Sequence, residues 1–350
     1  MLTNNQKTSS TEVTEIVLPG LVEPAGLQVK HRTLLGPAHG QALVQIEATG
    51  VSFAEQGMRR GRYPGQPSFP FVPGYDLVGT VRAVGQGVSN QLIGTRVAAV
   101  TKIGGWATHA LIEAETLVPV PSALDPALVE TVLVNGITAW QMLYRKARVK
   151  AGQTILVHGA NGGVGTVLSQ IALDGGIRVI GTASPRHHDN LRSIGVEPVD
   201  YNAPDLAKLI RALAPNGVDA AFDHLGLDSA RMSLSLLARG GSLIAYGNAA
   251  ILNGSTSMVS VFVTFLSHLM WWNIIPNSHY ATFYNFWGGS RITPKQFRRR
   301  LREDLTALLD LLVRGAISPP IAARFPLTEA SAAMVLAESR TVQGKVVLIP

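Results

Sequence analysis

The spacing of apolar residues along this chain changes character twice. Between Glu15 and about Leu133 they alternate with polar residues or come in short runs cut by glycine, as in Leu43-Val44-Gln45-Ile46-Glu47-Ala48, Asp76 to Gly85 and Arg96 to Val100. Period-two spacing with glycine punctuation predicts strands and turns, a small curled β-rich domain. From about Asn135 to Asn248 short apolar runs alternate with helix-spaced segments. Strands are expected at 154–157, 177–181, 197–200, 219–222 and 242–246, and helices near 164–174, 186–194, 204–213 and 228–238. Strand, helix and strand in repeated order predict an α/β architecture, a doubly wound parallel sheet with right-handed crossovers. The closing segment reads as a long helix (about Pro294 to Gly315), a strand around Ile321 to Phe325, a helix opened by Thr328 and Glu329, and a last strand Lys345 to Ile349. The expected division is a flexible tail at 1–14, a β-rich domain from 15–133 and 291–350, and a dinucleotide-type domain at 134–290.

One stretch breaks the alternation. Ser257 to Pro276 reads SMVSVFVTFLSHLMWWNIIP, an apolar insertion near 257–276 long enough to raise the question of a membrane. His268 and Asn273 inside it, several serines and the lack of flanking Lys or Arg clusters favour a buried helix, a subunit interface or a pocket wall over membrane contact.

Composition narrows the function classes. With 350 residues, 46% hydrophobic and 15% charged, the chain can bury a large core and is not disordered. It has no cysteine, which excludes disulfides, thiolate zinc sites and a cysteine nucleophile. The net charge of +7 suits attraction of a polyanionic cofactor or simple solubility. The densest basic run, Arg298 to Arg302, is followed at once by Glu303 and Asp304, the pattern of a solvated helix face, so nucleic-acid binding is not expected. Met1 to Glu12 is polar, without the apolar core of a signal peptide, and the reading is a cytoplasmic protein.

Chemistry concentrates after the strand Thr154 to Val157, where His158 to Gly165 reads HGANGGVG and a helix pattern follows. A buried strand, a glycine-rich turn and a helix N-terminus cradle a dinucleotide pyrophosphate, since free N–H groups and the helix dipole both favour negative charge. Ala160, Asn161, Gly162, Gly163, Val164 and Gly165 are the candidate contacts, with Ala160 standing where the usual fingerprint opens with glycine. The competing reading is a plain tight turn. An NAD site expects an acidic side chain about 20 residues on, at the end of the next strand. Here Ser184, Arg186, His187 and His188 precede the first acid, Asp189. A hydroxyl, a guanidinium and imidazoles suit a ribose 2′-phosphate, so NADPH is the expected cofactor. Tyr201, ending the following strand, is a further candidate for the phosphate or the adenine. Solvent capping of a loop is the alternative for Arg186 and His188. His187 and His188 are adjacent, poor geometry for a shared metal, and no Gly-x-Ser-x-Gly elbow is present.

The runs Gly50-Val51-Ser52-Phe53-Ala54-Glu55, Arg60-Gly61-Arg62-Tyr63-Pro64, Phe71 to Val81, Gly136-Ile137-Thr138-Ala139-Trp140, HGANGGVG and Gly344 to Leu348 resemble, in order, the medium-chain dehydrogenase/reductase superfamily. Within it the chain is most similar to the zinc-free quinone oxidoreductases of the zeta-crystallin type, including the vesicle amine transport protein branch. The resemblance implies a Rossmann domain and a GroES-like catalytic domain with the active cleft between them, and a homodimer joined through the Rossmann sheet edges. Zinc-using relatives carry Cys where this chain has Ser52 and His where it has Tyr75, so no metal is expected. The quinone reductases usually carry Asn at the Ser52 position, a departure that bears on substrate class. Tyr63 matches a tyrosine facing the cleft, with packing under a loop as the alternative. Thr138 matches a threonine near the nicotinamide ribose or carboxamide, with a helix N-cap as the alternative. Leu225 (in Asp223-His224-Leu225-Gly226), Tyr246-Gly247-Asn248 and Lys345 are the remaining implied cofactor contacts, although Lys345 could instead pair with a sheet neighbour.

The resulting expectation is NADPH-dependent, zinc-independent hydride transfer to a quinone or to the activated C=C of an enone or enal. Tyr63 and Ser52 are the catalytic candidates, and the substrate is a small apolar carbonyl compound or quinone. The rival expectation is a non-catalytic NADPH-binding protein that uses its apolar segment for membrane or partner contact.

Overall fold

The computed structural model describes residues 10–247, 258–276 and 278–350. The chain divides into two compact units, one running to Val134 and resuming at Ile321–Pro350, the other Asn135–Pro320. In chain order the first unit opens with β1 (Ser10–Val17), β2 (Gln28–Leu35), β3 (Gln41–Val51), α1 (Phe53–Arg59), β4 (Asp76–Val84), β5 (Arg96–Val100), β6 (His109–Glu113), β7 (Val118–Pro119) and α2 (Pro126–Val132). There follow α3 (Val134–Trp140), β8 (Thr154–His158), α4 (Gly163–Asp174), β9 (Arg178–Ala183), α5 (His188–Ser193), β10 (Glu197–Asp200), α6 (Leu206–Leu213), β11 (Val218–Asp223), α7 (Leu227–Ser235) and β12 (Leu237–Ala245). After these come α8 (Met258–Ile274), β13 (Tyr280–Phe283) and α9 (Pro294–Val313). The chain then returns to the first unit with β14 (Ile321–Pro326), α10 (Ala330–Glu338) and β15 (Lys345–Ile349).

The first unit is the β-rich part that the alternating pattern predicts. β3 is its centre, paired antiparallel with β4, β6 and β15. The alternating residues Ala42, Val44 and Ile46 are buried on the core face with Leu77, Val81 and Val97. The flexible tail expected at 1–14 does not hold for its last five residues. Ser10–Thr14 already belong to β1, antiparallel to β2, and Val13 and Ile16 anchor it in the core. Two apolar residues among polar ones gave too weak a period to see beforehand.

The second unit carries six parallel strands in the order β10-β9-β8-β11-β12-β13, the order of a dinucleotide-binding sheet. The sixth strand, β13, was not anticipated, because four residues of mixed polarity carry no readable period. Nor does the helix expected at 228–238 run that far. α7 stops at Ser235, and Leu237–Ala245 pairs with β11 through an irregular register at Val218/Ala220. The long helix α9 belongs with this unit and not with the β-rich one as expected for 291–320. Its Asp304 is buried and accepts from Gln141 Nε2 at 2.7 Å and Arg145 Nε at 2.8 Å, while Leu305, Leu308 and Leu312 are buried along the same face.

α8 resolves the apolar stretch. Phe265, Leu269 and Trp272 join the sheet core, and Phe262 and Phe265 meet Phe283 of β13 edge-on. Val259, Val263, Met270, Trp271 and Ile274 lie on the exposed side. Among the described residues no helix is long and apolar enough to cross a membrane. The two polar residues inside the stretch hold structure. Asn273 receives the Ala281 N–H at 2.8 Å and donates to the Ala281 carbonyl at 2.7 Å, so one side chain stands in for a strand neighbour. His268 Nδ1 donates to Thr264 O at 2.8 Å, and its Nε2 lies 3.1 Å from Arg231. Asn273→Ala is expected to lower stability by about 1–2 kcal/mol in urea unfolding and to speed hydrogen exchange at the Ala281 amide, because that edge pair loses its partner. Unchanged exchange at Ala281 would show that the strand is held without the clamp.

Candidate active site

In the α/β unit the glycine-rich turn leaves β8 at Gly159 and enters α4 at Gly163. Gly159 has φ +64°, the left-handed region that a side chain disfavours, and a Cβ there would lie 2.6 Å from His224 Cε1. The position needing glycine is therefore one before Ala160. Ala160 is fully buried, its methyl against Gly181, and its N–H donates to Thr182 O at 3.0 Å. It shapes the turn from behind and presents no side chain outward. Gly162 is the N-cap of α4, and its N–H is bonded to Gly159 O at 2.9 Å. A Cβ on Gly165 would overlap that same carbonyl, and one on Gly163 would come within 2.6 Å of Asn135 Nδ2. The cradle is thus built of backbone at positions a side chain would fill. Asn161, Gly162, Gly163 and Val164 stay half-buried at the mouth of the turn.

Beyond β9, Ser184 opens a 3-10 turn through Pro185 to His187. Arg186 is exposed, with Nε 3.2 Å from His187 Nε2. His187 itself is buried, and burial together with Arg186 and His188 pushes its pKa down. His188 turns Nε2 toward Ala183 O at 3.2 Å, back against the strand end. Tyr201 is exposed, and its N–H reaches Ala183 O at 3.3 Å, so it stands beside the same turn. Ser184, Arg186, His188 and Tyr201 accordingly lie around the end of β9.

The loops after β11 and β12 also converge. His224 sits over Gly159, with its ring tilted against Tyr246 at 5.3 Å between centroids and its Nδ1 3.2 Å from Tyr246 Oη. Burial, then Asp223, raises the Tyr246 pKa well above the usual phenol value. Gly247 packs against His224, since a Cβ there would come within 3.1 Å of His224 Cβ. Leu225 is partly exposed, and its N–H donates to Asp223 Oδ1 at 2.8 Å. Asn248 lies outside the described residues. Thr138 is buried within α3 rather than at its N-terminus, which removes the N-cap alternative. Beside it, Tyr284 Oη donates to Gln141 Oε1 at 2.9 Å. Asn135 and His224 are the contributors to this region that sequence reasoning passed over or discounted. Their only signal was position next to a motif.

The β-rich unit holds the other candidates. Ser52 is the N-cap of α1 in a Ser52-x-x-Glu55 capping box. Its Oγ accepts from Ala54 N at 3.2 Å and donates to Glu55 Oε2, and its N–H reaches the same oxygen at 2.8 Å. The hydroxyl proton is thus turned inward. Glu55 Oε1 takes the N–H of Tyr75 at 2.7 Å, and burial raises this carboxyl's pKa against the Ser52 hydroxyl bond. Tyr75, almost fully buried, meets Tyr63 hydroxyl to hydroxyl at 2.6 Å with edge-on rings. Lys345 is buried in β15 of this unit, with Nζ 2.6 Å from Glu130 Oε1 and 3.2 Å from Asp76 Oδ2, the sheet-neighbour pairing that the sequence left open. Burial opposes its charge, but Asp76 and Glu130 override that and hold the ammonium above its ordinary range. Gly50 leaves the space, since a Cβ there would overlap Glu130 and Lys345. Among the described residues no group of three or more His, Asp or Glu side chains could hold a metal ion.

Comparison with known proteins agrees with this geometry. The family model for an alcohol dehydrogenase GroES-like domain matches residues 38–122, and that for a zinc-binding dehydrogenase matches residues 195–348. The synaptic vesicle membrane protein VAT-1 homolog of Rattus norvegicus is 30% identical over 325 residues, which is 90% of this chain and 78% of that protein. The Escherichia coli quinone oxidoreductase complexed with NADPH superposes with TM-score 0.83 at 27% identity, over 96% of this chain and 100% of the other. A mycobacterial protein complexed with NADPH gives TM-score 0.81 at 29% identity, over 97% and 100%.

The buried triad yields a pH prediction. Burial, then Asp76, raises the Glu130 pKa well above the carboxylate range. The folded state therefore keeps this proton more tightly than the unfolded chain. The stability it contributes is present below the ordinary carboxylate pKa and is lost as pH rises through the folded value. Glu130→Gln, which cannot ionise, is expected to gain stability relative to wild type as pH rises above the ordinary carboxylate pKa, as read by urea unfolding at each pH. A difference that stays flat or shrinks over that range would place the proton elsewhere.

Proposed function

The chain belongs to the medium-chain dehydrogenase/reductase superfamily, in its quinone oxidoreductase type with the VAT-1 branch, and on that premise we propose that it is an NADPH-dependent, zinc-independent reductase of quinones or of the activated C=C of enones and enals. The observation that carries the proposal is the backbone cradle at Gly159–Gly165 with Ser184, Arg186, His188 and Tyr201 gathered at the neighbouring strand end. NADPH bound there would supply the hydride. The backbone N–H groups at the α4 N-terminus would hold the pyrophosphate, and the Arg186 guanidinium would hold the 2′-phosphate through charge-assisted hydrogen bonds.

On the β-rich unit, Tyr63 is the proposed substrate-side donor. Its oxygen is 2.6 Å from Tyr75 Oη. The Tyr63–Tyr75 hydroxyl pair would place a phenol against the negative charge that develops on a substrate oxygen, with the buried Tyr75 fixing its position. Ser52 offers an acceptor lone pair and no proton, because its hydroxyl is committed to Glu55. Ser52 and Tyr75 stand where zinc-using relatives keep Cys and His, and an inward serine and a tyrosine pair are poor ligands for zinc.

A second reading draws on the exposed residues Val259, Val263, Met270, Trp271 and Ile274 of α8: a non-catalytic coenzyme-binding protein that meets a membrane or partner through that stripe. NADPH oxidation across quinones and alkenals, run beside liposome flotation, separates the two. Turnover without flotation is expected, and flotation without turnover would favour the second. For the coenzyme, Arg186→Asp is expected to raise KM for NADPH by about tenfold to a hundredfold and leave that for NADH nearly unchanged, the loss of one charge-assisted pair. Equal effects on both coenzymes would remove Arg186 from the phosphate site.

A further inference from the structure

His158, the last residue of β8, is fully buried, and nothing in the reading above uses its ring. Each ring nitrogen faces a hydroxyl: Nδ1 is 3.1 Å from Thr182 Oγ1 and Nε2 is 2.9 Å from Ser233 Oγ. The chain of bonds extends past both. The Gly159 N–H donates to Thr182 Oγ1 at 3.3 Å. At the other end Asp223 Oδ2 accepts from Ser233 Oγ at 3.0 Å and Ser229 Oγ at 2.6 Å, and its Oδ1 accepts from Leu225 N.

The ends of this chain set its direction. A backbone N–H only donates, and a carboxylate only accepts. Ser233 gives its one proton to Asp223, so its Oγ accepts from Nε2–H; with the ring neutral, Nδ1 is then the acceptor, and Thr182 Oγ1, which accepts the Gly159 N–H, donates to it. One assignment uses every proton, with a neutral ring carrying hydrogen on Nε2. Burial favours that neutral form over the pull of Asp223, whose Oδ2 lies 3.7 Å from Nε2.

The two anchored ends are the loops proposed to meet the coenzyme. Gly159 is the pivot of the turn: its carbonyl receives the Gly162 N–H and lies directly under Gly165, so any shift of Gly159 moves the start of α4. Asp223 holds the Leu225 N–H, and its own carbonyl accepts the Tyr246 N–H at 2.9 Å. We propose that His158, as the Nε2–H tautomer, is a positioning residue for coenzyme binding, locking the phosphate turn and the Asp223–Leu225 loop into one geometry through a one-way hydrogen-bond chain. The proposal rests on the NADPH reading above.

Thr182→Val keeps the shape and removes the hydroxyl, which leaves the Gly159 N–H and His158 Nδ1 without this partner. The expected result is a KM and Kd for NADPH raised about tenfold, with kcat reduced much less, and recovery to within about twofold in Thr182→Ser, which restores the hydroxyl. In the folded wild-type protein, two-bond ¹H–¹⁵N spectra are expected to place the His158 proton on Nε2. A proton on Nδ1, or a folded Thr182→Val protein with wild-type NADPH affinity, overturns the proposal. If wild type binds neither reduced coenzyme by calorimetry, the function proposed above falls and the coenzyme role of His158 falls with it. The tautomer spectrum still decides the direction of the chain.

Discussion

A strand that must turn into a helix within a few residues leaves no room for side chains at the turn, and this close approach governs the α/β unit. The Gly159 carbonyl lies where a Cβ on Gly165 would be, and it also receives the Gly162 N–H. β8 and α4 can meet this closely only because no side chain intervenes. The same closeness exposes backbone N–H groups at the α4 N-terminus to an anion. Packing and chemistry here have one cause. The order β10-β9-β8-β11-β12-β13 then brings the ends of β9 and β11 to either side of β8, so the residues following those strands gather around the turn without being near it in sequence.

The β-rich unit is organised around buried charge. Lys345 is held by Asp76 and Glu130, beneath a backbone from which Gly50 omits a side chain. Removing Asp76 from such a cluster would leave the Lys345 ammonium stranded away from water. Asp76 follows Tyr75, whose N–H is held by Glu55, and Glu55 in turn closes the cap around Ser52. Ser52, Glu55 and Tyr75 are thereby tied into one hydrogen-bonded frame.

Much of the architecture was legible in the chain. Five parallel strands, the strands β3, β4 and β5, and the long helix α9 announced themselves through period and glycine spacing. What escaped had a physical reason. β13 is four residues long and takes its place through β12 and the Asn273 clamp. The start of β12 runs through Gly240-Gly241, whose local signal is that of a turn. For α9 the amphipathic face was visible, but which core it faces depended on Arg145 and Gln141 reaching Asp304.

For the site, the amino-acid order alone determined that a glycine-rich turn joins a buried strand to a helix and that a basic, hydroxyl-bearing segment follows the next strand, because both are local consequences of side-chain size and charge. Tertiary structure decided the rest. It assigned the left-handed position beneath His224 to Gly159 rather than Ala160, gathered Lys345 into an ion cluster with Asp76 and Glu130, and set His158 between Thr182 and Ser233. Each of those outcomes depends on groups far apart along the chain meeting at hydrogen-bonding distance, and distance is a property of the packed fold that no local pattern of residues encodes.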